Sequence, residues 1–507
     1  MKDTRTRNVG AGLVAALLAL TLSIAGCGQA SDNTGQSESE NASPVSSTDT
    51  YFTTDRVHSI SIEMDEDDYE SMLETYASTG DKEWVSVTAT IDGNTFENVG
   101  LRLKGNSSLR TALAAARGIT LTADDLESEG SDSGDGTSDT ASPETVPWLI
   151  RLNKYVDSQN YLGRYDFVVR GNDTESSLNE AVAMAMLEEA GLATHRVAFT
   201  AFSVNGSEAK LRLVSEVPDD ELWNEEWFGS DGATWKADSD GDWDYHGEDG
   251  AEYEAIWKQR TGEEDMTPIV NFMDFINNAT DEEFEASLPK YLDTEEFAKY
   301  LAIEDLINNQ DTISGMGNNG YLHYDPKTGV MTLIAWDHDR AFEAGGFGGG
   351  VPGGMESPES MEPPEGMDFP EGMKPPEGMD FPEGMEPPGG EAGERPGRPG
   401  QDDDGMGGPP SEGMTGPGGM GGGRGSNILE TRFRASDTFM EMYNKAYAEL
   451  TNSLIDSGFA QDVRDQYTDL LVSQASDLVS PEVVESDAAT ISRQIQSDKD
   501  SAAQGRS

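Results

Sequence analysis

An α+β fold in two lobes is what the order of elements in this chain predicts. Strand signals dominate its first half and helix signals its second, the pattern of segregated sheets and helices. About 400 residues show a folded pattern, more than one hydrophobic core usually serves, so two lobes flanking a cleft are expected. Two long low-complexity inserts, at 124–144 and 345–425, interrupt the globular pattern.

The elements follow in order. Residues 57–64 alternate as a strand, and 65–76 read as a short capped helix. Residues 84–91 and 95–104 pair about the Asp92-Gly93 turn. Residues 149–152 and 165–170 are further strands. The clearest helix is 176–190, with Leu178, Val182, Met186 and Leu187 on one face and Gly191 as its stop. A hairpin over 196–204 and 210–217 turns at Asn205-Gly206. Helices are expected at 269–277, 294–309 and 438–454. The YLHY and VMTLIAW arms of a last hairpin meet at Asp325-Pro326-Lys327-Thr328-Gly329.

The ends set the expected compartment. Lys2, Arg5 and Arg7 precede an apolar stretch from Gly10 to Leu22 that is too short to span a bilayer comfortably. It ends in Ile24-Ala25-Gly26-Cys27, which resembles a bacterial lipobox, and Cys27 is the single cysteine of the chain. The expectation is a signal peptide over 1–27, lipidation at Cys27, a polar tether over 28–50, and a protein held on the outer face of the cell membrane by its lipid alone. A net charge of -62, from 34 Lys and Arg against 96 Asp and Glu, argues against nucleic-acid partners.

The insert at 124–144 is acidic and rich in Ser, Gly and Thr, and reads as disordered. In the insert at 345–425, Met355, Met361, Met367, Met373, Met379 and Met385 recur every six residues between prolines, which forbid helix and sheet. Such thioethers either bind Cu(I) or act as weak contacts and oxidation sinks. A helical C-terminal part over 426–490 and a tail over 491–507 complete the expected organisation, with the main domain over 51–344.

The chemistry concentrates at 308–342. Asp311 lies beside polar and glycine residues, Asn318 and Asn319 follow, and the second hairpin arm delivers Asp337 and Asp339 at its end. Phosphoryl transfer needs one carboxylate to orient an attacking hydroxyl and another, with an amide oxygen, to hold a divalent cation against phosphates. The turn Lys104-Gly105-Asn106-Ser107-Ser108 offers cations and backbone N–H groups for a phosphate. Asp238, Asp240, Asp242 and Asp244 depart from the EF-hand spacing and read as a solvated acidic turn. His195, His323 and His338 are too scattered for a zinc motif, and Trp336 reads as core.

Several segments together resemble the spore-coat protein H (CotH) kinase family: VGLRLKGNSS, PWLIRLNKYV, YLGRYDFVVRGNDTESSLNEAVAMAMLEEAGL, FSVNGSEAKLRLVSEVPD, GATWKAD and LAIEDLINNQDTISGMGNNGYLHYDPKTG with IAWDHDRAF. The resemblance spans roughly residues 51–342 and implies an atypical protein-kinase-like fold. It also implies ATP as cosubstrate, Mg²⁺ or Mn²⁺, and a protein hydroxyl as acceptor. By position, Asp311 matches the catalytic aspartate, with Asp305 its rival, and Asp337 the metal-binding one, with Asn319 and Asp339 as helpers. The acidic insert occupies the region where the family carries a lysine-rich stretch. The phosphate-binding cation therefore falls on Lys104, Arg151 or Lys154, with Asn106 and Ser107 in the turn. Glu180, or its competitor Glu216, would pair with that cation. The alternative is a non-catalytic surface binding or envelope module that uses the same fold.

Overall fold

The computed structural model describes residues 50–105, 109–110, 112–113, 141–172, 174–238, 242–309, 311–314, 319–342 and 427–503. Cys27, Asn106, Ser107, Asn318, Asp240, residues 124–140 of the first insert and the whole of the second lie outside them.

A closed barrel forms the first half. Its strands are β1 (His58–Glu63), β2 (Val85–Ile91), β3 (Asn94–Leu103), β4 (Trp148–Arg151), β5 (Asp166–Val169), β6 (Val197–Val204) and β7 (Lys210–Ser215), arranged β1-β2-β3-β4-β5-β7-β6. The neighbours are antiparallel except at the closure, where β1 runs parallel to β6 with Ile60 opposite Phe202. The sequence suggests these strands but not their closure, which rests on this one non-local pairing. Helix α1 (Glu66–Thr79) starts at Asp65, whose side chain accepts from the Asp67 N–H, and ends at left-handed Gly80.

Strand alternation sorts the barrel residues. Val99, Leu101 and Leu103 of β3, Trp148 and Ile150 of β4, and Phe167 and Val169 of β5 fill the interior. The other parity faces outward: Arg102 with Lys104 beyond it, Leu149 and Arg151, then Asp166 and Val168 with Arg170 beyond. Cross-strand register sets Arg102 beside Leu149, Leu149 beside Val168, and Arg151 beside Asp166.

A second, antiparallel sheet has the order β11-β10-β8-β9, built from β8 (Ala233–Ala237), β9 (Trp257–Thr261), β10 (Gly320–Asp325) and β11 (Val330–Ala335). Between the two sheets, Leu149 and Val168 of the barrel pack with Tyr321, Ile334 and Trp336. The α-helices that follow are α2 (Leu178–Glu189), α3 (Glu221–Phe228), α4 (Thr267–Asn278), α5 (Asp281–Ser287), α6 (Thr294–Leu306), α7 (Ile428–Ala435), α8 (Asp437–Leu450), α9 (Phe459–Gln474) and α10 (Pro481–Ala503). Helix α2 is buried on nearly every side, which suits its Ala- and Met-rich sequence. Helix α10 runs on to Ala503, through most of the segment expected to be a tail, because Ile491 and Ile495 bury against the large core. The architecture is therefore α+β, a barrel and a sheet with the later helices. Among the described residues, no helix is long and apolar enough to cross a membrane.

Candidate functional site

Three elements bring charged groups together between the barrel and the second sheet. The first is the outer face of β3. Arg102 and Lys104 share that face, and Arg102 sits close enough to help depress the Lys104 pKa. Burial pushes Lys104 down to about 8, opposed by Asp219 and reinforced by Arg260 and Arg102. Burial likewise lowers Arg102. Its Nε is buried without a hydrogen-bond partner.

The second is β8, which carries Lys236. In the sheet register Lys236 stands opposite Tyr321, and its ammonium lies 4.8 Å from that ring's centre. Burial, then the nearby Lys104, push Lys236 down to about 7. One anion sits among these cations. Asp219 accepts from the Tyr321 hydroxyl at 3.0 Å and lies 3.7 Å from Arg260. Burial alone would raise Asp219, yet Lys104 and Arg260 hold it down to about 2.

The third is the end of β11, where Trp336 leads into Asp337, His338 and Asp339. The Trp336 ring has three cations around it: Lys104 at 5.5 Å, Arg170 at 5.6 Å and Lys236 at 5.7 Å from its centre. His195 packs on the same indole at 4.6 Å. Trp336 is thus buried as expected, and it also joins the cationic and acidic halves of the site.

Arg170, one residue beyond β5, is the pivot of the acidic half. Its Nε lies 2.8 Å from Glu180 on α2, an ion pair without the alignment of a good hydrogen bond. Its Nη2 donates to Asp337 and lies 3.7 Å from Asp339. The Arg212 guanidinium holds the Arg170 carbonyl, with its Nε at 3.0 Å. Burial would raise Asp337, but Arg170 holds it below its ordinary range. Glu180 goes the other way, raised by burial against the pull of Arg170. Asp337 has φ of 72°, a left-handed backbone that a non-glycine residue seldom adopts.

Asp311 follows α6. The Asn319 side chain donates to its carbonyl at 2.8 Å, and its own N–H donates to the Asn309 side chain at 3.2 Å. Burial and then the negative charge of Asp337 push its carboxyl up to about 6. That repulsion places Asp311 and Asp337 at one site. Asp305, by contrast, sits on α6 and accepts from Tyr443 at 2.7 Å and Arg434 at 3.2 Å, both on C-terminal helices.

Arg151 and Lys154 stand at the edge. Arg151 is engaged with Asp166, its Nε at 2.7 Å from the carboxylate. Lys154 lies 5.1 Å from the centre of Trp84, which also carries Arg102 at 4.9 Å and Arg151 at 5.5 Å. Glu180 pairs with Arg170, not with Lys104, Arg151 or Lys154. Glu216 is buried in a separate network, 2.6 Å from Arg164 and 2.8 Å from Arg196. Arg170, Asp219, Lys236 and Arg260 escaped the sequence reading. Strand parity would have flagged Arg170, which shares the outward face of Asp166 and Val168.

Among the described residues no three His, Cys, Asp or Glu side chains form a ready-made metal site. Oxygen donors nevertheless gather: Asp337, Asp339 and Glu180 surround the Arg170 guanidinium, and Asp311 is raised by burial and then by the Asp337 charge. That donor set suits a hard divalent cation that completes its shell with phosphate oxygens and water.

No curated protein matches the chain. A family model described as CotH kinase protein matches residues 136–369, which contain Asp311, Asn319, Asp337, Asp339, Arg170 and Lys236 but begin after Lys104. Over that span the chain is similar to the CotH kinase family.

Proposed function

We propose that this domain transfers a phosphoryl group from a metal-bound nucleotide to a protein hydroxyl, in a two-lobed kinase-like arrangement. The observation that carries the reading is the partly buried cation group Arg102, Lys104, Lys236 and Arg260 set against the Asp311 and Asp337 carboxylates. Buried like charges depress one another and call for an anion. Phosphates are the anion that fits beside two acids able to share a divalent cation.

Lys104 and Lys236 bind the phosphate chain. Asp337, with Asp339 and the Asn319 amide, holds Mg²⁺ or Mn²⁺, which when bound neutralises phosphate charge. Arg170 and Glu180 form the cation–carboxylate pair that braces the Asp337 carboxylate. Asp311 accepts the proton of the acceptor hydroxyl as its oxygen bonds to the γ-phosphorus and the bond to the nucleoside diphosphate breaks. With its carboxyl at about 6, Asp311 is mostly ionised at neutral pH yet basic enough to take a proton. Cys27 lipidation would hold the domain at the outer membrane face, as the lipobox suggests.

The test is incubation of the protein with γ-labelled ATP and Mn²⁺ or Mg²⁺. Wild type should incorporate label into itself or an added protein. D311N should lose about 10²–10⁴-fold of the rate, and D337N should lose transfer or need a higher Mn²⁺ concentration for it. Incorporation unchanged in both variants refutes these roles. Nucleotide-free binding of protein partners, with no transfer, favours the non-catalytic module.

A further inference from the structure

We propose that Glu304 is a positioning residue that fastens together the two acid-bearing segments of the site, the loop of Asp311 and the turn of Asp337 and Asp339. The inference rests on the phosphotransfer reading and adds to it a residue that contacts neither nucleotide nor acceptor.

Glu304 lies on the last full turn of α6, and its side chain is almost wholly buried. Its two oxygens serve different segments. Oε1 is 2.8 Å from Nε2 of His338, the residue between Asp337 and Asp339. Oε2 accepts from the Asn309 side-chain amide at 2.8 Å. The oxygen of that same amide accepts the Asp311 N–H at 3.2 Å, and the Asn309 N–H donates to the Glu304 carbonyl at 3.0 Å. A single carboxylate thus reaches Asp311 through Asn309 and reaches Asp337 and Asp339 through His338.

Burial of a carboxylate is a poor way to gain stability. A well-packed apolar side chain in its place is commonly neutral or better, whereas a fully satisfied polar network fixes one arrangement. Here there is something to fix. Asp337 holds a left-handed backbone at φ of 72°, and such a conformation persists only where neighbours over-determine it. On one side Trp336 is wedged between His195 and Tyr321. On the other, the Asn179 side chain donates to the Asp339 carbonyl and the Ala341 N–H to the His338 carbonyl at 3.1 Å. The His338 ring, fully buried, is the anchor between them, and Glu304 is its carboxylate. Groups that orient ligands from behind typically change affinity or activity by about 10–100-fold when lost.

The polarity of the bridge supplies the test. E304Q keeps shape and still accepts from His338, but turns an amide N–H₂ toward the Asn309 N–H₂. Adding N309D reverses the polarity: the new amide donates, the new carboxylate accepts, and its second oxygen still takes the Asp311 N–H. We expect E304Q to lower kcat about 10–100-fold with little change in the dissociation constant for ATP. E304Q/N309D should recover most of that loss. N309A, which spares the His338 arm, should lower kcat and leave Mn²⁺ affinity unchanged, and it serves if E304Q does not fold. Full kcat in E304Q or N309A, or no recovery in the double variant, overturns the proposal. If wild type transfers no phosphate, the phosphotransfer reading fails, and Mn²⁺ titration by calorimetry decides the positioning role alone. Weaker Mn²⁺ binding by E304Q than by wild type supports it, while equal binding, or none by either, overturns it.

Discussion

At the scale of single residues, the site is defined by ionisations that its neighbours have displaced. Asp311 stands at about 6 because burial and Asp337 both disfavour its charge, while Lys236 stands at about 7 because burial and Lys104 disfavour its charge, and Lys104 at about 8 because burial, Arg260 and Arg102 disfavour its own. The signs fix a pH dependence. In the proposed mechanism Asp311 would be the competent base above about 6, and the lysines competent cations below about 7–8. The profile of kcat/KM, which reports the free enzyme, should therefore be a narrow bell with limbs near those values. A profile flat from pH 5 to 9 would contradict the assignments. Replacing Lys236 by Met should remove the alkaline limb contributed by that group and weaken nucleotide binding about 10-fold or more, as loss of a buried charge-assisted contact does.

At the scale of elements, alternation along the strands decides which charges meet. Arg102 and Lys104 face the second sheet because Leu101 and Leu103 fill the barrel. Gly100 lies two residues before Arg102 on the same strand, and a Cβ there would stand 2.5 Å from Lys154 Cβ and 3.0 Å from the Trp84 ring. G100A should therefore displace Lys154 from Trp84 and destabilise the fold by about 1–3 kcal/mol, and urea unfolding of G100A beside G100A/K154A checks it, since the second change relieves part of the clash.

These elements also show how far the sequence speaks. The period-2 and 3.6-residue patterns locate β1 to β7, α2, α6 and the last hairpin to within a few residues, because each buries one face. The segment Glu221–Phe228 passed unread because its signals are a capping Asp220 and two tryptophans, without a long apolar stripe. Strands β8 and β9 passed unread because each is short and flanked by polar residues. Of the site, the Asp311 and Asp337 segments are legible as motifs, whereas Arg170, Asp219, Lys236 and Arg260 meet only through the tertiary fold. The partner of Glu180 is the clearest case. Lys104, Arg151 and Lys154 were the expected candidates, and Arg170 sits nearest because it follows the same strand that leads into α2.

At the scale of the whole molecule, a cationic pocket lies within a chain of net charge -62. The far field would repel a nucleotide while the cation group of the proposed site would attract it. Salt screens the exposed charges more than the buried ones, so raising ionic strength from about 10 to about 150 mM should speed nucleotide association, the reverse of the usual behaviour for an anion-binding protein. Stopped-flow association rates test this, and a rate that falls with salt would contradict it. Helix α10 matters to the same whole. It buries Val484, Ile491 and Ile495 in the core that carries α2, and its Asp487 accepts from Ser176 just before that helix. Truncation after Ser480 should cost several kcal/mol by loss of buried aliphatic contacts, visible as a lower urea midpoint.

The central claim is that the cations beside Trp336 hold a phosphate chain against Asp311 and Asp337. Calorimetric titration of ATP with Mn²⁺ into wild type and K104A/K236A tests it most directly. Saturable binding in wild type, with loss of about 100-fold or more in the double variant, is the predicted result. Absence of nucleotide binding at millimolar concentration, or equal affinity in both proteins, would contradict it.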